Sequence, residues 1–215
     1  YQNVFLSPEI SLSFEDIEAE SNASAQLKKM DGSYSNIDFL YGIAFDKRNQ
    51  VFQPTSGYKT KFIQSLPILQ DSSSILNGFD GSFYHAVSED LVGVVKFYAR
   101  SIHSVDEDDV RLTNRLFLPQ SKLRGFNTSK VGPKDSESYV GGNYTTALSF
   151  EAQLPKLLPE STRTDVSIFL DTGNVWGVDY NTSLDETNKI RSAIGISANV
   201  FTTVGPLSFT LAQDL

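Results

Sequence analysis

The chain has no cysteine, one methionine, one tryptophan and two histidines in 215 residues. Without cysteine it has no disulfide framework and no thiolate metal site. His85 and His103 lie in separate segments with no third imidazole to complete a zinc site, so a metal enzyme is not expected. No apolar run approaches the roughly 18 residues a membrane helix needs; the densest patches are FLYGIAF at 39–45 and LVGVV at 91–95. Basic surface is also missing. Net charge is −8 and no Lys/Arg cluster stands out, which excludes a nucleic-acid partner. The first residues carry neither an initiator Met nor a basic segment leading into an apolar block, so no signal peptide is expected and the sequence reads as a piece of a longer precursor.

What is present is alternation. Apolar content of 40% with 20% charge excludes a disordered tail. Helical periodicity is weak, while period-2 patterning recurs between Gly, Asn, Asp, Ser and Pro clusters. It predicts about nine strands, near 3–18, 33–48, 57–68, 78–88, 91–105, 141–155, 163–178, 188–202 and 205–215. Several exceed the roughly 5–6 residues usual in soluble proteins. Turns are tight at TTVGPL (202–207) and HAVSEDLV (85–92), whereas 19–33, 70–80, 105–141 and 178–188 read as long polar loops.

The strands have two unlike faces. Val166, Ile168, Leu170 and Trp176 oppose Ser167, Asp171 and Gly173, with Phe169 an exception on the polar side. Tyr144, Leu148, Phe150 and Leu154 oppose Thr145, Ser149, Glu151 and Gln153. Ile190, Ile194, Ile196 and Val200 oppose Arg191, Gly195, Ser197 and Asn199; Leu207, Phe209 and Leu211 are set against Ser208, Thr210 and Gln213. A soluble sandwich would put the apolar face in its core. A transmembrane barrel would turn that face to lipid and the polar face to a wet lumen. Mid-strand charges (Glu9, Lys96, Arg100, Glu151) and aromatics near strand ends (Tyr58, Tyr144, Trp176, Tyr180) favour the barrel; alternation alone leaves the sandwich open.

Chemistry-bearing patterns are few. There is no nucleophile elbow and no carboxylate pair set apart as acid and base, so no catalytic site and no cofactor are expected. VDEDDV at 105–110 lacks the spacing and glycine of a calcium loop and reads as a solvated acidic loop. The unusual segment is SKLRGFNTSKVGPKDSESYVGGN, 121–143, a long polar stretch with Arg124 set before Gly125 and Phe126.

LRGF (123–126), VGP (131–133), GGN (141–143), FLDTGNVW (169–176) and GPLSFTLAQ (205–213) occur in that order. With FDKRNQVFQPTSGYK at 45–59, they resemble the C-terminal barrel of the outer-membrane assembly factor BamA and its relatives, including TamA and the two-partner secretion transporters. Leu123 departs from the valine more usual there, conservatively. The resemblance implies an all-β fold: an antiparallel transmembrane β-barrel, partial, with about nine strands of a sixteen-stranded whole. Residues 1–215 would be one partial barrel domain, with the POTRA domains and first strands absent.

The resemblance further implies a non-enzymatic role in folding and inserting other barrels into the bacterial outer membrane. Its partners would be outer-membrane β-barrel precursors as clients, assembly lipoproteins reached through the missing parts, and outer-membrane lipid. It also implies that the loop motif (Leu123, Arg124, Gly125, Phe126, Gly132, Pro133) folds into the lumen, that Arg124 meets Glu151 and Asp171, and that Gly141, Gly142 and Gly173 are structural. Both carboxylates fall on the polar face in the alternation, and a planar guanidinium suits two of them. The alternatives are a related translocation pore, of the two-partner secretion or TamA-like kind, and a soluble β-sandwich binding module.

Overall fold

The computed structural model describes every residue except 1, 2, 22, 25–27, 71, 72, 107, 108, 187 and 188. Nine long strands form one antiparallel sheet: β1 (Val4–Ile17), β2 (Gly32–Asp46), β3 (Ser56–Gln70), β4 (Ser74–Ser88), β5 (Leu91–Ser104), β8 (Tyr144–Leu154), β9 (Thr164–Trp176), β10 (Arg191–Thr202) and β11 (Gly205–Asp214). The connection from β5 to β8 carries a small hairpin of its own, β6 (Lys134–Asp135) with β7 (Ser138–Tyr139). Every neighbour in the large sheet is also a neighbour in sequence apart from that inserted hairpin, so the architecture is an up-and-down meander. Strands of 10–15 residues are long enough to cross a bilayer at a tilt.

One expected loop is largely strand. The run 70–80 was expected as a long loop with a strand from about 78, but β4 begins at Ser74, opposite Ser104. Polar Ser and Asn in SILNGFD hide a period-2 segment whose Leu76 and Gly78 turn inward while Asn77 and Phe79 turn outward. Long connections (18–31, 105–143, 177–190) gather on one rim; the other carries the short turns 89–90 and 203–204 together with the intermediate connections 47–55 and 155–163.

The two faces of the sheet follow the pairing register. Phe150, Leu170 and Ile194 stand in one outward row, and Ser149, Asp171 and Ala193 in the inward row beside it. Phe14, Leu12, Ile168, Ile196, Phe209 and Leu211 are exposed on the outward face, whereas Phe169, Val175, Asp171 and Thr145 are buried on the inward one. Gln213 was grouped with the polar inward set, but it pairs with Ile194 and shares the outward face. Parity decides this: position 213 is in phase with Leu207, Phe209 and Leu211, whatever its polarity.

The sheet is curved about its inward face. The β5–β8 connection contacts β2 on one side, where Arg111 Nη2 donates to Asn36 Oδ1 at 2.7 Å. On the other side its Gly125 packs on Ala212 of β11. At the opposite rim the β2–β3 turn reaches four strands across, with Gln53 Nε2 donating to Asp165 Oδ1 on β9 at 2.8 Å. A concave wall with a loop inside it leaves β1 and β11 as edges, and their unpaired backbone groups need further strands in lipid.

Candidate functional site: an arginine loop seated in the concave face

The β5–β8 connection packs as an inner layer because it is less polar than its composition suggests. Its Leu118, Leu123 and Val131 form a buried cluster with Tyr98, Ala147 and Val175 on the wall. Phe126 packs against that cluster. Leu118 and Leu123 flank a tight turn in which Pro119 O accepts from Lys122 N at 2.8 Å, which delivers Arg124 to the wall.

Arg124 then meets two strands at once. Its Nε and Nη2 donate to Asp171 Oδ2 and Oδ1, both at 2.7 Å, and its backbone N–H donates to Oδ2 at 3.1 Å. Nη2 also reaches Ser149 Oγ at 3.0 Å and pairs with Glu151 Oε1 at 2.8 Å. The guanidinium lies over the Phe169 ring, 3.4 Å from its centroid. Register explains the convergence: Ser149 pairs with Asp171 and Glu151 with Phe169, so four inward side chains make a square under one cation. Asp171 is 0% exposed and Glu151 7%, so each charge is compensated by geometry rather than by bulk water. Lys96 Nζ holds the other oxygen of Glu151 at 2.8 Å. A polar cavity of about 760 Å³ opens beneath the tip, bordered by Lys96, Gln153, Ser197 and Asn199.

Two glycines of the motif hold backbone that other residues resist. Gly125 has φ +92° and Gly132 φ +110°; a Cβ at Gly132 would stand 2.8 Å from Val175 Cβ. Pro133 beside it is fully buried. Gly141, Gly142 and Gly173 permit close approach: Gly142 bridges Leu116, and Gly173 lies where a Cβ would meet Leu118 Cδ2 at 2.7 Å.

Sequence reasoning missed a second tier nearer the long-loop rim. Arg115 is buried and pairs with Asp179, donates to Asn143 Oδ1 at 3.0 Å, and covers the Tyr180 ring at 4.9 Å. Asp179 also accepts from Val110 N–H at 2.9 Å and Asn143 Nδ2 at 3.0 Å. Burial works against the Asp179 charge, but these hydrogen bonds and the Arg115 guanidinium outweigh it and hold the carboxyl below its ordinary value. Tyr180, expected in an outer aromatic girdle, belongs to this inner tier instead and donates to Asp135 Oδ2 at 3.0 Å; it lies four residues past the end of β9, off the sheet. The available signal was VRLTNRLFL, 110–118, two arginines four apart among apolar residues.

Tyr144 and Trp176 do stand on the outward face near the rim, stacked at 5.5 Å and 18°. Tyr58 stacks with Phe83 at 6.0 Å toward the other rim. Among the described residues no three His, Asp or Glu side chains gather as metal ligands; residues 107 and 108 of the acidic run lie outside the described residues.

Comparison with known proteins agrees with this architecture. The Omp85 superfamily domain matches residues 3–215. The outer membrane protein assembly factor BamA of Neorickettsia risticii is 27% identical over 211 residues, covering 95% of this chain and 28% of that protein. A SAM50-like protein of Schizosaccharomyces pombe is 26% identical over 142 residues, covering 63% of this chain and 30% of that one. The crystal structure of BamA from Haemophilus ducreyi lacking POTRA domains 1–3 superimposes with a TM-score of 0.85 at 18% identity, covering the whole chain and 48% of that structure. The chain thus spans less than a third of the length of these two relatives. It belongs to the Omp85 superfamily and forms part of a transmembrane β-barrel of the bacterial outer membrane.

Proposed function

We propose that this chain is the loop-bearing wall of an outer-membrane insertase, a protein that folds and inserts other β-barrels without covalent chemistry. The observation that carries the reading is the seat of Arg124 on Asp171, Glu151 and Phe169. A loop fixed inside the barrel by a buried cation braces β8 and β9 together, and so sets the curvature of the wall. An insertase needs a wall of defined shape that stays intact while a distant seam opens to a client. Arg124, Glu151 and Asp171 would supply that rigidity, with Leu123, Phe126, Gly132 and Pro133 seating the loop around them.

Residues 1–215 act in this reading as one part of a single barrel domain. POTRA domains and further strands would come from the rest of the protein. Clients would be unfolded β-barrel precursors, and assembly lipoproteins would bind mostly elsewhere.

The test uses cells depleted of the full-length parent and supplied with wild type or Arg124→Glu. The insertase reading expects wild type to restore folded barrels in the outer membrane and the variant to leave precursors in the periplasm. If wild type restores only export of a soluble passenger, with barrel assembly unaffected by depletion, the protein is a secretion pore and the reading fails.

A further inference from the structure

The outward face should be apolar, yet one row across it is not. Tyr41, Gln64, Asn77, Ser101, Tyr144 and Trp176 are successive register partners on six adjacent strands. Tyr41 Oη donates to Gln64 Oε1 at 2.7 Å and Gln64 Nε2 to Asn77 Oδ1 at 2.6 Å. The ladder stops there. Neither the other end of the Asn77 amide nor the Ser101 hydroxyl has a partner among the described residues. Polar groups left unpaired against hydrocarbon are costly, so their retention on this face calls for a ligand.

Asn77 and Ser101 open into a groove of about 290 Å³. Ala99 and Thr146, small and paired to each other, form its floor. Phe62 and Phe79 wall one side and the Tyr144–Trp176 stack the other. Tyr144 opens β8 and Trp176 closes β9, so the mouth stands at the rim, where aromatic belts meet headgroups. Asn77 lies three residues inside the start of β4, about 8 Å below that rim along a tilted strand.

We propose that this groove is a binding site for one membrane lipid. Its ester carbonyl or acyl hydroxyl accepts from the Asn77 amide and Ser101, and its proximal acyl chain lies between the aromatic walls. The groove lies on the outward face of the wall, the face that meets lipid, which favours lipid over a protein segment.

The test is photo-labelling of the full-length protein in vesicles of phosphatidylethanolamine and phosphatidylglycerol. The probe is a phosphatidylethanolamine with a diazirine near its acyl carboxyl. Labelled peptides are mapped by mass spectrometry, with heat-modifiable gel mobility as the check on folding. Label should concentrate on residues 75–101 and 144–146. It should fall about threefold to tenfold in Asn77→Leu and be lost from the groove in Ala99→Phe, which fills the floor. Even labelling over the outward face, unchanged in both folded variants, would overturn the proposal. So would a photoreactive residue at position 101 that captures a protein instead of lipid in intact cells.

Discussion

Arg124 and Asp171 are 47 residues apart in sequence and make a two-pronged contact, Nε to Oδ2 and Nη2 to Oδ1, both at 2.7 Å. The fork fixes the plane of the guanidinium, whose carbon lies 3.4 Å from the centroid of the Phe169 ring. Geometry of this kind discriminates between cations. An ammonium cannot present two parallel donors, so lysine is not equivalent here.

Arg124→Lys should therefore weaken the loop even though charge is kept. We expect a loss of about 1.5–3 kcal/mol in the docked state from the lost charge-assisted bonds. Protease access to 119–133 in the folded full-length protein measures it: cleavage should be faster in Arg124→Lys than in wild type.

Phe169→Leu removes the face beneath the guanidinium while leaving both carboxylates in place. A desolvated cation–π contact is worth up to about 2 kcal/mol, so this variant should loosen the loop less than removal of Asp171. Ranking protease access in Phe169→Leu, Asp171→Asn and wild type checks the order.

Gly132→Ala should be among the most damaging changes of a single methyl group in the loop. The residue needs φ +110° and its Cβ would press on Val175, so a cost of about 2 kcal/mol or more is expected. Thermal loss of heat-modifiable mobility should occur at lower temperature than in wild type. Gly205→Ala, where a Cβ meets nothing within 4 Å, serves as the comparison for backbone strain without a clash.

The second tier, around Arg115 and Asp179, carries a pH dependence of definite sign. Asp179 has its carboxyl held below the ordinary value in the folded state. Its stabilising contribution is therefore fully present above the unfolded value of about 3.9 and is lost as pH falls through the lower folded value. Hydrogen exchange at Val110 N–H, which donates to Asp179, should stay slow at neutral pH and accelerate only in that acid window. In Asp179→Asn exchange should already be fast at neutral pH, with the acid step gone.

Much of the wall was legible because period 2 is a strong constraint when one face must be apolar. The inward phase of Glu151, Asp171, Ser167 and Ser197 could be read directly. Where polarity and parity disagreed, at Gln213 and in SILNGFD, parity was the better guide, since the pleat alternates regardless of side-chain type. Phe169 looked like an exception on the polar face and proves to be the ring beneath Arg124. Arg115 and Asp179 were not legible. Their pairing joins a loop before β8 to one after β9, and no periodicity links two irregular segments.

The most direct test of the account reverses the central charge pair in the full-length protein. Arg124→Glu is made alone and then with Asp171→Arg, and heat-modifiable mobility is read beside assembly of client barrels. Breaking the buried pair from one side should cost about 3–5 kcal/mol, so the single variant should lose folded mobility and client assembly, and the double variant should recover part of both. Equal indifference to both changes would show that Arg124 is a bystander in the lumen and would contradict the account.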